Sequence, residues 1–249
     1  MKIVACYSNK GGVGKTALSV NLAHTWSAQG KRVLLCDLDP QGASSYYFRV
    51  KPSEKLRDKD FFEDVKRFTD AIRASDYENL DVLPANAGFR DFDIFLSRLR
   101  NSRSRLKKAL QAVDSEYDLA ILDCPPNISL LSENIFRSAD LIVVPVIPTT
   151  LSERTLAQLH EFFKEHEFDT KRIVPVFSMV EKRKTMHTDT IARLRRKYKR
   201  TLTPEIPFSS DVEKMGLHRA PVATYAGNRP AALAYIEVWR ELSDHKLLR

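Results

Sequence analysis

Ser8-Asn9-Lys10-Gly11-Gly12-Val13-Gly14-Lys15-Thr16 is the stretch on which the fold of this chain turns. It follows a strand-like run at 2–7. It precedes a helical pattern near 15–29 in which Leu18, Leu22 and Trp26 recur every four residues and would face a sheet. A strand, a glycine loop and a helix together can wrap a phosphate. The glycines let backbone N–H groups turn inward, and the helix start adds partial positive charge. Gly11, Gly12, Val13, Gly14, Lys15, Thr16 and Ala17 are therefore the candidate phosphate contacts. Lys15 would neutralise β- and γ-phosphate oxygens, and the Thr16 hydroxyl would ligate Mg²⁺.

Two fingerprints compete for these residues. Gly12-Val13-Gly14-Lys15-Thr16-Ala17 satisfies the dinucleotide pattern G-x-G-x-x-G/A, and Asp37 ends a second strand where a ribose-binding acid would sit. Against that, Lys15-Thr16 is the pair that a triphosphate with Mg²⁺ requires. Leu119-Ala120-Ile121-Leu122-Asp123 is an apolar strand ending in an acid, as metal coordination beside a γ-phosphate needs. Lys10 adds a second cation, more than a pyrophosphate calls for. The P-loop reading is favoured, although Asn9 stands where its first glycine belongs. A plain glycine turn explains neither lysine.

Outward from the loop, short apolar runs alternate with helical patterns. The strand candidates are 2–7, 32–36, 80–84, 119–122, 141–146 and 173–177; the helix candidates lie near 15–29, 58–75, 89–113, 127–137, 152–166, 187–200 and 230–243. The strands are nearly continuous runs of Val, Ile and Leu, which is how strands buried on both faces read. The pattern predicts an α/β fold: a single domain over 1–249, doubly wound, with a mostly parallel sheet and helices on both faces. Ligands of such sheets bind at the carboxyl ends of the strands. The segment 49–60 is the most loop-like.

At 249 residues the chain can bury a full core, and 43% hydrophobic with 29% charged residues excludes collagen-like and disordered classes. No apolar run is long enough to span a bilayer, and no secretory signal is expected. The first strand begins at residue 2, so no DNA-reading domain is expected ahead of the loop, and operator binding is not anticipated. Cys6, Cys36 and Cys124 read as small buried side chains in a reducing cytoplasm, and the scattered histidines suggest no zinc site.

The net charge of +8 is unevenly spread. Residues 171–200 hold eleven Lys/Arg against Glu181 and Asp189, and 98–108 hold six with no acid, leaving the remainder mildly acidic. The first stretch reads as a polyanion-binding surface, the second rather as a solvated helix face. On a helix starting near His187, Arg193, Arg196, Lys197 and Arg200 share one face. Such a face neutralises phosphates without reading bases.

The chain resembles the deviant Walker A ATPases, and within them the ParA branch of the ParA/MinD superfamily. Lys10 through Thr16 matches their signature with its extra leading lysine. Asp37-Leu38-Asp39-Pro40-Gln41-Gly42 and Asp123-Cys124-Pro125-Pro126 resemble their next two motifs. Val144-Pro145-Val146-Ile147-Pro148, Glu205-Ile206-Pro207 and residues 216–235 fit later segments. The resemblance implies an ATP-dependent homodimer with Mg²⁺ and a catalytic set of Lys10, Lys15 and Asp39. Lys10 would reach the partner's phosphates, and Asp39 would position the attacking water. Asp37 and Asp123 would join Thr16 in holding Mg²⁺. It implies an adenine pocket that includes Met179, Pro207 and Phe208 beside Ser178. It also implies binding to non-specific nucleoid DNA through basic residues of the C-terminal half, with Lys184-Thr185 where relatives carry Arg-Thr. Asp211 stands where many relatives carry a further arginine.

The leading expectation is a cytoplasmic, nucleoid-associated partition or positioning ATPase whose hydrolysis is stimulated by a cargo-bound adaptor of ParB type. One alternative is a MinD-like membrane-surface ATPase. That would need a cationic, bulky amphipathic tail, whereas residues 239–249 balance nearly every base with an acid. Another is a metabolic ATP-dependent ligase on the same fold. Iron–sulfur carriers are disfavoured because Cys124 has no companion cysteine nearby.

Overall fold

The structure, a computed structural model, describes residues 1–53, 56 and 58–248. Among these, eight strands form one sheet: β1 (Lys2–Cys6), β2 (Val33–Asp37), β3 (Arg73–Ala74), β4 (Leu80–Leu83), β5 (Leu119–Asp123), β6 (Leu141–Val146), β7 (Ile173–Val180) and β8 (Glu205–Pro207). Their order is β3-β4-β2-β5-β1-β6-β7-β8, and every pairing is parallel except β3 with β4. The chain steps outward from β1 in both directions, so the loop leaving β1 lies where the winding reverses.

The strands are apolar throughout because both faces are covered. Ile3 and Ala5 of β1 point into one core, with Leu34, Cys36, Leu122, Phe136 and Phe163. Val4 and Cys6 point into the other, with Leu18, Leu22, Trp26, Tyr235 and Val238. This is the two-residue period of a pleated strand, made invisible in the sequence by burial on both sides. The helix Lys15–Ala28 buries Leu18, Leu22 and Trp26 as its periodicity predicts, and packs beside the helix Pro230–Ser243. The helices Thr150–Glu165 and Thr185–Lys197 contribute Leu156, Leu159, Phe163, Ile191 and Leu194 to the opposite face.

Several boundaries differ from the sequence reading, each for a local reason. The helix expected over 58–75 is two pieces, Asp58–Glu63 and Val65–Asp70, because the Asp64 side chain accepts the Arg67 N–H and restarts the helix. The helix expected over 89–113 is broken between Phe92–Arg98 and Arg105–Gln111, where Asn101 takes a left-handed backbone (φ 57°). Edge strands β3 and β8 are too short to leave a periodic trace. Of the expected loop 49–60, Glu54, Lys55 and Arg57 lie outside the described residues, as does Arg249 of the tail. All three cysteines are buried, and burial pushes the Cys6 thiol up to about 12.

Candidate functional site

The loop after β1 closes on itself. The Lys15 ammonium donates to the Lys10 carbonyl (3.3 Å), the Lys10 N–H donates to Ser8 Oγ (3.3 Å), and the Lys10 ammonium donates to Ser152 Oγ (3.3 Å) on the neighbouring helix. Gly12 and Gly14 have left-handed φ of 70° and 92°, and Gly14 caps the helix that Lys15 begins. An L-residue pays roughly 1–2 kcal/mol for that backbone. A Cβ on Gly14 would also meet Ser178 Oγ at 2.9 Å, whereas Gly11 and Gly12 face open space. The glycines thus serve two needs: backbone turn, and a surface left clear for a ligand.

Two carboxylates stand beside this loop. Strand pairing puts Asp123 in register with both Cys6 and Asp37, so both acids lie at the carboxyl end of the sheet next to the loop. Both are buried. Ser44 Oγ donates to Asp123 Oδ2 (2.5 Å) and Ser19 Oγ donates to Oδ1 (3.2 Å), and the nearby Thr16 hydroxyl favours the charged form of this carboxylate. The Ser45 N–H and hydroxyl donate to Asp37 Oδ2 at 2.8 and 2.6 Å. Burial raises the proton affinity of both acids, and Asp123 raises that of Asp37 further. Burial correspondingly lowers Lys15, an effect that Asp123 opposes.

Asp37 Oδ1 is buried and accepts no hydrogen bond. An orphaned anionic oxygen beside a second carboxylate and a threonine hydroxyl is a hard-oxygen donor set. It suits Mg²⁺, which binds through one or two carboxylates and keeps waters and phosphates as its other ligands. The residues present therefore fit the expected group. Ser19, Ser44 and Ser45, which hold the acids, escape the sequence reading; their signal is local, one turn past Thr16 and two to three residues past Gly42.

Asp39 is half-buried at a turn. Its Oδ1 accepts the Gln41 N–H (3.0 Å), and its carbonyl accepts the Gly42 N–H (2.9 Å). It lines an open cleft of about 340 Å³ with Arg90, Pro125 and Pro126. On the other side of the loop, Met179 has a φ of 54° at the irregular end of β7, and the Phe208 N–H donates to the Val180 carbonyl (3.1 Å). That bond, with the Ser178–Gly14 approach, brings Met179, Pro207 and Phe208 to the loop's flank. Phe208 is 54% exposed there.

A profile described as AAA domain matches residues 1–174. The sporulation initiation inhibitor protein Soj of Bacillus subtilis is 30% identical over 248 residues, which cover 97% of this chain and 98% of that protein. The chain belongs to the ParA/MinD superfamily of P-loop ATPases. Among solved structures, cobyrinic acid a,c-diamide synthase from Mycobacterium smegmatis, with bound ATP analog and magnesium, has a TM-score of 0.82 at 25% identity, covering 98% of this chain and 95% of that one. The septum site-determining protein MinD of Pyrococcus horikoshii, complexed with Mg-ADP, shares the fold with a TM-score of 0.79 at 19% identity, covering 98% and 96%.

For this ParA/MinD-superfamily chain the basic segment is more varied than a charged helix face. The helix is Thr185–Lys197, not 187–200, with Tyr198 as its C-cap, so Arg200 lies in the following turn rather than on the helix. Lys184 is ion-paired with Glu181, and Arg193 lies 2.7 Å from Glu153 of the adjacent helix. Arg195 is held by Glu205 and the Thr203 carbonyl. Arg196, Lys197 and Arg200 are exposed and have no ion pair among the described residues. Asp211 is itself paired with Arg229.

Proposed function

We propose that the chain is an ATP-switched partition or positioning ATPase of the ParA type. The observation that carries this is the meeting of the two-lysine loop with the Asp37–Asp123 pair at one end of the sheet. The end-to-end likeness to Soj supports it. In this reading ATP lies on the loop with its phosphates against the N–H groups of residues 11–17. Lys15 neutralises β/γ-oxygens, and Thr16, Asp37 and Asp123 hold Mg²⁺. The ion, when bound, offsets charge that develops on the transferred phosphoryl group. Asp39 orients a water for in-line attack, giving ADP and phosphate, and Lys10 completes the charge stabilisation from across a homodimer interface. Met179, Pro207 and Phe208 flank the adenine. Arg196, Lys197 and Arg200, with Lys184 and Arg193 if their acids release them, meet non-specific nucleoid DNA. A ParB-type adaptor carried by the cargo stimulates hydrolysis in the cytoplasm.

Size-exclusion chromatography with light scattering tests the switch. A dimer is expected with a non-hydrolysable ATP analogue and a monomer with ADP, and Lys10→Ala should prevent the dimer. A monomer in every nucleotide state sinks the proposal.

The likeness to the diamide synthase favours one second reading, an ATP-dependent ligase. Such an enzyme would turn over fast with a small carboxylate and ignore DNA. The MinD-like alternative finds less support. Tyr235, Val238 and Leu242 of the helix Pro230–Ser243 are committed to the core.

A further inference from the structure

At the end of the sheet opposite the phosphate loop, the C-terminal ends of helices Thr150–Glu165 and Thr185–Lys197 and the start of β7 enclose an open cleft of about 450 Å³. Five cations line it: Lys164, Lys171, Lys197, Lys199 and Arg200. They come from three segments of the chain, so no single periodicity announces them. One acid, Glu161, lines it too. None of the five has an ion pair among the described residues, whereas Lys184, Arg193 and Arg195, from the same basic stretch, are each neutralised by a glutamate.

Helix ends account for part of this charge. Lys164 and Lys197 sit in last turns, where a cation offsets the partial negative charge of the terminal carbonyls. Lys199 and Arg200 lie outside both helices and have no such role, and Lys171 sits on a single 3₁₀ turn, Thr170–Arg172, too short to build an appreciable dipole. Even with Glu161 and both helix ends counted against it, the cleft remains strongly positive. The floor is His160, stacked on Tyr198 at 4.6 Å. Its Nε2 is buried without a hydrogen-bond partner. Burial, then Lys164 and Lys197, hold its imidazole down to about 4. It is therefore neutral at physiological pH. The Lys197 ammonium covers the Tyr198 ring (5.3 Å to its centre), so with His160 already stacked there the ring is not a free platform for a base.

We propose that this cleft is a second anion site, remote from the nucleotide, that takes clustered phosphate groups. The concavity and the convergence of cations from three segments fit a ligand that presents several phosphates in a small volume. The source is either a free oligophosphate or the backbone of a nucleic acid. In the latter case Lys197 and Arg200 also serve the DNA surface proposed above. The inference does not depend on what the phosphate loop binds.

The test is calorimetric titration of the full chain with inorganic tripolyphosphate at low salt. Saturating Mg-ADP keeps the phosphate loop filled. The same titration on Lys15→Ala shows whether the signal comes from that loop. Lys171→Glu with Lys199→Glu should weaken binding roughly tenfold or more, while Lys182→Glu, a reversal in the same basic stretch but outside the cleft, should leave it near the parent's value. ADP affinity retained in both variants shows that they are folded. No binding by the parent, or equal losses in the two variants, overturns the site. A DNA duplex that displaces tripolyphosphate identifies the source as nucleic-acid backbone, and one that leaves it bound identifies a free oligophosphate. Either result keeps the site.

Discussion

The two ends of the sheet carry opposite kinds of charge organisation. At the carboxyl end, ionisable groups are buried, close together and held by hydroxyls: Asp123 by Ser44 and Ser19, Asp37 by Ser45, and Lys15 by the Lys10 carbonyl. At the other end, cations are mostly exposed and long: Glu205 pairs Arg195, while the five of the cleft have no ion pair among the described residues. Buried charges act at full strength but need exact partners, because an unpaired one is costly. Exposed charges are individually weak and screened by salt, and matter only in number. The first end is built for a single ligand geometry. The second suits a polyanion that needs no fixed register.

The largest effect is expected where the charge is buried. Lys15→Ala should lower ATP affinity by about 100-fold or more, read by calorimetry, since a charge-assisted contact to phosphate is lost in a desolvated loop. Unchanged affinity would mean that the carboxyl end is not the nucleotide site. Next, Asp39→Ala should still form the ATP-analogue dimer but hydrolyse on the order of 100-fold more slowly in single-turnover assays. Loss of the dimer with hydrolysis intact would reverse the role given to this residue.

The exposed charges should respond more mildly. Arg196→Glu with Lys197→Glu should weaken retention on random-sequence duplex roughly tenfold near 0.15 M salt and flatten the salt dependence by about two counterions. Equal retention would shift the DNA surface elsewhere, with the basic segment 98–108 the next place to look. The smallest effect is expected from Glu153→Gln. It should release Arg193 and tighten duplex binding by about two- to threefold, while lowering the thermal unfolding midpoint slightly. Arg193 holds the Glu153 carboxyl below its usual value, so this contribution is present above about pH 4–5 and fades on acidification. A weaker DNA interaction in Glu153→Gln would show that the pair orients Arg193 rather than silencing it.

Residue patterns with a fixed backbone geometry were legible in advance. Gly12, Gly14, Lys15 and Thr16 announce a phosphate loop because few other sequences can make that turn. Leu141–Val146 and Pro230–Ser243 appear where their patterns place them. The breaks at Asp64 and Asn101 were hidden because a cap or a left-handed residue interrupts a helix without altering its apolar spacing. The acid-holding serines were missed because a hydroxyl early in a helix looks the same whether it meets solvent or a carboxylate.

Fold class, phosphate loop and superfamily could all be read from residue order, since each rests on spacing along the chain. Which charges count was settled by three-dimensional packing. Whether Arg193 faces Glu153, whether Asp37 retains an orphan oxygen, and whether five cations converge on one cleft depend on segments far apart in sequence. Electrostatic energy depends on distance and burial, which a linear order of residues does not contain.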